Sequence, residues 1–427
     1  MANIFPFRAY RYTPKAGPAD QLLAQPYDKI TPQMQERYYG LSPHNFVRLD
    51  KGKEEASDDD SQNVYTRAAA TLEQWIAGGI LAQDLEPALY PYFQEFAHPE
   101  TAVIYTRKGF IGLTQVSDYS ARVVHRHELT HSGPKKDRLE LTRCTKSHFG
   151  QLFMLYDDPA QTIDAQLEQT AQREPLISAR DEYGVLHRLW RIADPKQIAG
   201  IQKAMAAKKL LIADGHHRYE TALAYSRENP ALPGADKAMM TFVNMRAPGL
   251  VVLATHRVLF GLADFNAESF LQKAGQAFEV ETVDSPPALQ KRLQDVPAEA
   301  IAIGVVLRGD AKGHLLRGRP GEIERRLTGL SPSERTLDVA VLHKVLVTEM
   351  LGVSEEDVRD LKNIRYVRGF DPAVDEVRHG DGQVAFLMRP VQPLKVAEVA
   401  FSGGVMPQKS TDFYPKLLSG LTVYRFA

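Results

Sequence analysis

The chain has a single cysteine, Cys144, among 427 residues. That excludes a disulfide framework and any metal site built on paired thiolates. It also lacks an excess of either charge: Lys and Arg total 52 against 53 Asp and Glu, a formal net charge of −1. Proteins that coat nucleic acid carry a basic balance, so nucleic acid is not an expected partner. No apolar run is long enough to span a bilayer, and MANIFPFRAYRY has no apolar signal core. A cytoplasmic protein without membrane contact is therefore expected. Internal repeats and low-complexity tracts are missing as well. What is present, 44% hydrophobic and 25% charged residues, is the composition of a folded globular chain. Its length exceeds one ordinary core, so two domains are expected.

The most informative stretch is LLIADGHHRYETALAY, residues 210–225. Leu210, Leu211, Ile212 and Ala213 read as a short buried strand, which Asp214-Gly215 breaks. Tyr219, Ala222 and Leu223 then recur at helical spacing. A strand, a glycine turn and a helix together aim backbone N–H groups at an anion, with the helix dipole behind them. Gly215 permits close backbone approach because it has no Cβ. His216, His217 and Arg218 add donors to the same turn, and an arginine grips two phosphate oxygens at once. The bland alternative is an Asp-Gly hairpin with a solvated basic tip.

Around this stretch the pattern is mixed. Val64, Ala68, Leu72, Trp75 and Ile76 form a helical stripe that Gly78-Gly79 stops. YPYFQEF and GFIGLTQVSDY read as strands, and SARDEYGVLHRLWRIAD as a hairpin turning at Glu182 to Gly184. A helix from Pro195 to Lys208 leads into the strand before Gly215, and strands follow near 239–245 and 250–257. From Phe265 the texture becomes helix–strand alternation, with a loop excursion between Gly309 and Arg335 and a helix near 337–351. The expected class is α+β, with a nucleotide- or phosphate-binding domain over 1–264 and an α+β domain over 265–427 whose tail returns to the site.

Three further clusters carry chemistry. VVHRHELTHSGPKKDRLELTR contains His127-Glu128-Leu129-Thr130-His131, which matches the zinc-protease string HExxH. That chemistry needs both histidines one turn apart in a helix, and Ser132-Gly133-Pro134 disfavours one. A charged loop carrying His127, Glu128, Asp137 and Arg138 is the preferred reading, and no metal site is expected. MPQKSTDFYPKLLSGL offers Lys409, Ser410 and Thr411 in sequence, with Lys416 one short loop away. Such a set binds phosphate, although it lacks the glycines of a P-loop; a tail packing through Phe413, Tyr414 and Leu417 is the alternative. QPYDKI presents Asp28 beside Tyr27 in a Pro-bounded turn, and THRVL ends a strand with His256 and Arg257.

ADGHHRYETAL, HExT…KxDRL, THRVL and MPxKSTxFYPKLxxGL together resemble the bacterial family known as domain of unknown function 1015. The resemblance runs from PYD near residue 26 to the C-terminal tail. That family's pattern does not ask for His131. The Asp-Gly-His-His-Arg string is also similar to the Gly-x-x-Arg phosphate box of the ParB/sulfiredoxin superfamily, matched by Gly215, His217 and Arg218. The similarity implies a ParB/sulfiredoxin-like mixed fold for the N-terminal domain. Sulfiredoxin chemistry is not implied, because His216 stands where its cysteine would be. ParB proteins carry DNA-binding helices and a basic balance that are missing here. Free-serine kinases, members of the same superfamily, carry a similar Asp-Gly-His-His-Arg box with an N-terminal Glu as base, a place that Asp28 would take.

The resemblance implies a small-molecule phosphotransferase using ATP or ADP with Mg2+. Nucleotide phosphates would rest on Asp214, Gly215, His216, His217 and Arg218, with Arg138, Lys409, Ser410, Thr411 and Lys416 in support. Asp28, Glu128 and His217 would be the catalytic groups. The alternatives are a nucleotide or phosphometabolite sensor without turnover, and a metal-dependent hydrolase through His127 and His131. The 409–416 segment is expected to place Lys409 or Ser410 near Arg218, with Glu128 and Asp137 partly balancing the cations.

Overall fold

The computed structural model describes residues 2–128 and 132–426. The chain is α+β and divides into two units, Met1–Val251 with Pro415–Ala427, and Val252–Tyr414. The change of texture near residue 265 lies inside the second unit. The strand Thr255–Phe260 pairs with Ile364–Arg368 and Gly382–Leu387, so its hydrogen bonds place it there.

In the first unit a nine-stranded sheet runs in the order 124–125, 210–214, 152–156, 237–244, 104–115, 90–97, 186–189, 177–180, with 4–5 also on 104–115. Most pairs are antiparallel; 210–214 with 124–125, and 237–244 with 152–156, are parallel. The central strands are apolar on both faces: all five residues of Leu152–Tyr156 are buried. Such strands need cover on each side. Ile163 and Leu167 of the helix Thr162–Thr170, Ile198 and Ile201 of Pro195–Met205, and Tyr219 and Ala222 of His216–Glu228 share one core with them. A second core joins Phe46, Val47, Leu72, Trp75, Leu141 and Phe149. It is the stripe of the helix Val64–Ala77 that turns inward here, started by an Asn63–Thr66 capping box.

The second unit is a six-stranded antiparallel sheet in the order 278–283, 313–318, 302–307, 382–387, 255–260, 364–368. Leu289 and Leu293, with Phe370, Ala373, Val374 and Val377, pack against Val258, Val306, Ala385 and Leu387. Leu342–Met350 is a π-helix following the short helix Asp338–Val341.

Two sequence expectations are corrected. The stretch from Gly309 to Arg335 is not a loop: it holds the strand Gly313–Gly318 and the helices Pro320–Arg326 and Pro332–Arg335. His314, Leu315 and Leu316 are buried, and two prolines sit at helix starts, where a missing N–H costs no helical bond. Likewise Asp137 and Arg138 lie on a helix, Ser132–Thr145, rather than a charged loop. Pro134 falls in its first turn, so it starts the helix instead of breaking it.

His256 is 3% exposed, and its Nδ1 accepts from the Met388 N–H at 3.0 Å. Burial, reinforced by the Arg257 charge, pushes its pKa down to about 4. The unfolded chain therefore takes up a proton near pH 6.5 that the folded chain refuses until about pH 4. Stability is expected to fall as pH drops through that window, by about 1.4 kcal/mol per pH unit from this group. Urea unfolding of His256→Gln should show a slope shallower by that amount; an unchanged slope contradicts it.

Candidate functional site

The strand Leu210–Asp214 is anchored by Leu210, Leu211 and Ile212, all fully buried. Each such side chain contributes about 2 kcal/mol by burial, which fixes where the strand ends. Its pairing with Leu152–Tyr156 shifts register between Ile212 and Asp214, a bulge that re-aims the last residue. Gly215 follows in the left-handed region, φ 96°. A Cβ there would lie 3.0 Å from both Arg218 Nε and Leu152 Cδ2, so the turn requires glycine. The helix His216–Glu228 then begins with no side-chain cap, and Tyr219 N–H makes the first turn's bond to Gly215 O at 2.9 Å. An uncapped helix start carries amide donors and the positive end of the dipole.

Asp214 sits at the centre of the charges. Arg218 Nη2 donates to its Oδ2 at 3.1 Å, while Arg218 Nη1 donates to the Gln151 carbonyl. Burial alone would raise the Asp214 pKa, but Lys416, Arg218 and Lys29 hold the carboxyl well below its usual range. Arg218 in turn overcomes its own burial through Asp214, Asp28, Tyr27 and Asp50, which keep it charged. Together these residues come from five separate stretches of sequence, 27–29, 50, 151, 214–218 and 416.

A second, deeper group lies beside it. Arg138, 7% exposed, donates to Asp50 Oδ1 at 3.0 Å, to Asp50 O at 2.8 Å and to Asp137 Oδ2 at 2.7 Å. Its guanidinium lies 4.0 Å from the centre of the Tyr27 ring. Ser419 Oγ donates to the other Asp50 oxygen at 2.7 Å. Burial pushes the Tyr27 hydroxyl up to about 12, against the opposing pull of Arg218 and Arg138. Asp28 and Lys29 follow on the same 3-10 turn, Tyr27–Lys29, with Asp28 exposed and 4.0 Å from the Lys29 ammonium.

Beneath the turn two imidazoles meet edge to face, His127 and His216, with ring centres 4.8 Å apart. His127 Nδ1 donates to Ile212 O at 2.8 Å. Burial lowers both pKa values, so both rings are neutral at pH 7. His216 Nε2 is buried without a hydrogen-bond partner among the described residues. A neutral buried ring nitrogen left so costs free energy unless a ligand or water meets it.

The structure thus places Asp28, Arg138, Asp214, Gly215, His216, His217, Arg218 and Lys416 in one unit. Charges couple Asp28, Asp214, Arg218 and Lys416 directly, and His216 follows Gly215 on the same turn. Glu128 is half-buried and acts on His127. Lys409, Ser410 and Thr411 belong to the other unit, where Ser410 is buried with its hydroxyl on Pro407 O, and Arg257 holds the Gln408 and Lys409 carbonyls. In the HExxH string, His127 precedes the helix Ser132–Thr145; Leu129 to His131 lie outside the described residues. Among the described residues no three His, Cys, Asp or Glu are arranged to hold a metal ion.

Lys29, Asp50 and Ser419 were not legible as site residues. Lys29 adjoins Asp28, which is the one signal it carried; Asp50 and Ser419 sit in VRLD and KLLSG at positions that no motif specifies.

Fold and site together define an α+β chain with an uncapped, charge-lined helix start. The chain belongs to the family described as Protein of unknown function (DUF1015), whose model matches residues 4–340. Comparison with curated proteins gives no match. Among solved structures, a free serine kinase in complex with AMP is 13% identical, with TM-score 0.34, covering 68% of this chain and 83% of that one. A conserved hypothetical protein from Pyrococcus furiosus is 14% identical, with TM-score 0.32 and coverage of 68% and 87%. SbnI from Staphylococcus aureus, C-terminally truncated, is 11% identical, with TM-score 0.33 and coverage of 72% and 85%.

Removing one partner of a buried pair strands the other charge. Asp50→Ala should destabilise the protein by about 3 kcal/mol in urea unfolding. Asp50→Leu combined with Arg138→Met should recover most of that loss. A near-neutral single variant contradicts the buried pair.

Proposed function

We propose that the chain is a nucleotide-dependent phosphotransferase acting on the hydroxyl of a small molecule such as serine. The observation that carries this reading is the uncapped start of the helix His216–Glu228, surrounded by Lys29, Arg218 and Lys416 around Asp214. The likeness of the Asp214–Arg218 string to the free-serine kinase box supplies the reaction class. Phosphoryl transfer needs positioned charge more than covalent chemistry, and this corner has donors and cations within one unit.

The amides of the first helical turn, with His217 and Lys416, would hold the nucleotide phosphates. His216 Nε2, without a partner among the described residues, would meet a phosphate oxygen or its bound water. Arg218 is tied to Asp214 and Gln151, so its part is to fix the Asp214 carboxylate and add positive potential. Mg2+, when bound, would neutralise phosphate charge, with Asp214 the carboxylate to meet it and the phosphates supplying the rest of its ligands. Asp28, exposed on its turn, would accept the proton of the acceptor hydroxyl, with Glu128 the alternative.

A sensor without turnover is the second reading. It is favoured by Arg138, whose donors are spent on Asp50 and Asp137 within the protein.

Calorimetry with ADP or ATP and Mg2+ should show binding. Lys416→Ala should weaken it about tenfold, the value of one charge-assisted contact. Asp28→Asn should leave binding intact and lower serine phosphorylation by at least about 100-fold. Tight binding with no product from any hydroxy amino acid selects the sensor; no nucleotide binding at all overturns both readings.

A further inference from the structure

The segment Pro415–Ser419 is irregular, yet its main-chain groups are held one after another inside the first unit. Pro415 O accepts from Arg107 Nη2 at 2.5 Å, and Lys416 O from Gln94 Nε2 at 2.8 Å. Leu418 O accepts from Gln151 Nε2 at 3.2 Å, and Leu418 N–H points to Tyr92 Oη at 3.5 Å. Ser419 exchanges backbone bonds with Ala24 at 2.9 and 3.2 Å.

The two clamps nearest Lys416 are built together. Arg107 and Gln94 are direct partners across adjacent strands, each 1% exposed, and Arg107 Nε donates to Gln94 Oε1 at 3.0 Å. Behind them His187, fully buried, sets Nε2 on Asp181 and Nδ1 on the Tyr92 hydroxyl at 2.6 Å. Since the Asp181 carboxylate only accepts, Nε2 carries the imidazole proton and Tyr92 donates to Nδ1. Gln94 Nε2, 3.4 Å from that same Nδ1, has its amide oriented by this chain. Burial brings the Arg107 pKa down to about 10, with Asp214 among the charges opposing that fall.

Burying a guanidinium is costly, and an apolar side chain would fill the same volume more stably. What an apolar residue lacks is a fork able to hold a carbonyl outside regular structure. Lys416 is the next residue, and its charge is the leading one that holds Asp214 ionised.

We infer that Arg107, together with Gln94, is a positioning residue: it fixes the main chain at Pro415–Lys416 so that the Lys416 ammonium is presented to Asp214. This rests on the reading of Lys416 as part of the phosphate corner. Arg107 touches no substrate; it acts through Lys416.

The test has a readout that does not depend on nucleotide. In protein reductively methylated with 13C, the Lys416 dimethylamine signal, assigned by its loss in Lys416→Arg, should be displaced by the neighbouring carboxylate. Asp214→Asn should move it, and Arg107→Lys should move it to the same place. A Lys416 signal unmoved in a folded Arg107→Lys protein overturns the inference. The second readout is ADP binding in a double-mutant cycle. Arg107→Lys should cost the same factor as Lys416→Ala, and the double variant should be no weaker than Lys416→Ala alone. Additive losses indicate a general structural role and overturn it. If Lys416→Ala binds ADP as well as the unmodified chain, the phosphate reading fails, while the methylation signal still decides whether Arg107 positions Lys416. Should Arg107→Lys not fold, Gln94→Asn, which shortens the amide away from Lys416 O, takes its place with the same expected outcomes.

Discussion

Asp214 is a half-buried carboxylate at the end of a buried strand, and an anion taken partly out of water is held charged by cations around it. Lys29 comes from the N-terminal turn, Arg218 from the helix that Gly215 starts, and Lys416 from the far end of the chain. Their charges favour the ionised form strongly enough to overcome burial. Remove Asp214, and three cations from distant parts of the sequence face one another without a common counter-ion. The rest of the corner depends on this constraint. Arg218 is held low against the turn by Asp214 and the Gln151 carbonyl, and the helix starts at Gly215, which has no side chain to cap it.

The deeper pair works differently. Arg138 and Asp50 are both buried and fully engaged, with Ser419, Tyr27 and Asp137 completing their contacts. A pair satisfied on every side has little to offer a ligand. Its contribution is to lock the helix Ser132–Thr145 and the turn at Tyr27 against the tail. The corner thus separates charges that hold the protein together from charges that face the helix start.

Much of this is legible in the amino-acid sequence. The strand, glycine turn and helix at 210–225 are readable because apolar runs and a glycine leave a strong local pattern. The helix at 64–77 and the hairpin at 177–189 are readable for the same reason. The stretch 309–335 misleads because its strand alternates weakly and its prolines read as loop punctuation, although both begin helices. Pro134 misleads in the same way. The partners of Arg138 and Arg218 are hidden for another reason. Asp50, Gln151 and Ser419 are ordinary residues that no motif specifies, and only tertiary pairing gives them meaning.

The first unit is discontinuous in the chain: residues 415–427 belong to it, and the whole of 252–414 intervenes. Synthesis proceeds from the N-terminus, and domains fold largely as they emerge. The strands of the nine-stranded sheet are all available once residue 244 is made, so the core around it can form early. Lys416 and Ser419 arrive last. Until then Asp214 is short of a cation and Asp50 of a hydroxyl, and the clamps at Arg107, Gln94 and Gln151 have no carbonyls to hold. Closing contacts across so much intervening chain is slow by its nature. A nascent first unit is therefore a folded shell with an unfinished corner, and its charge balance is completed only when translation reaches the tail.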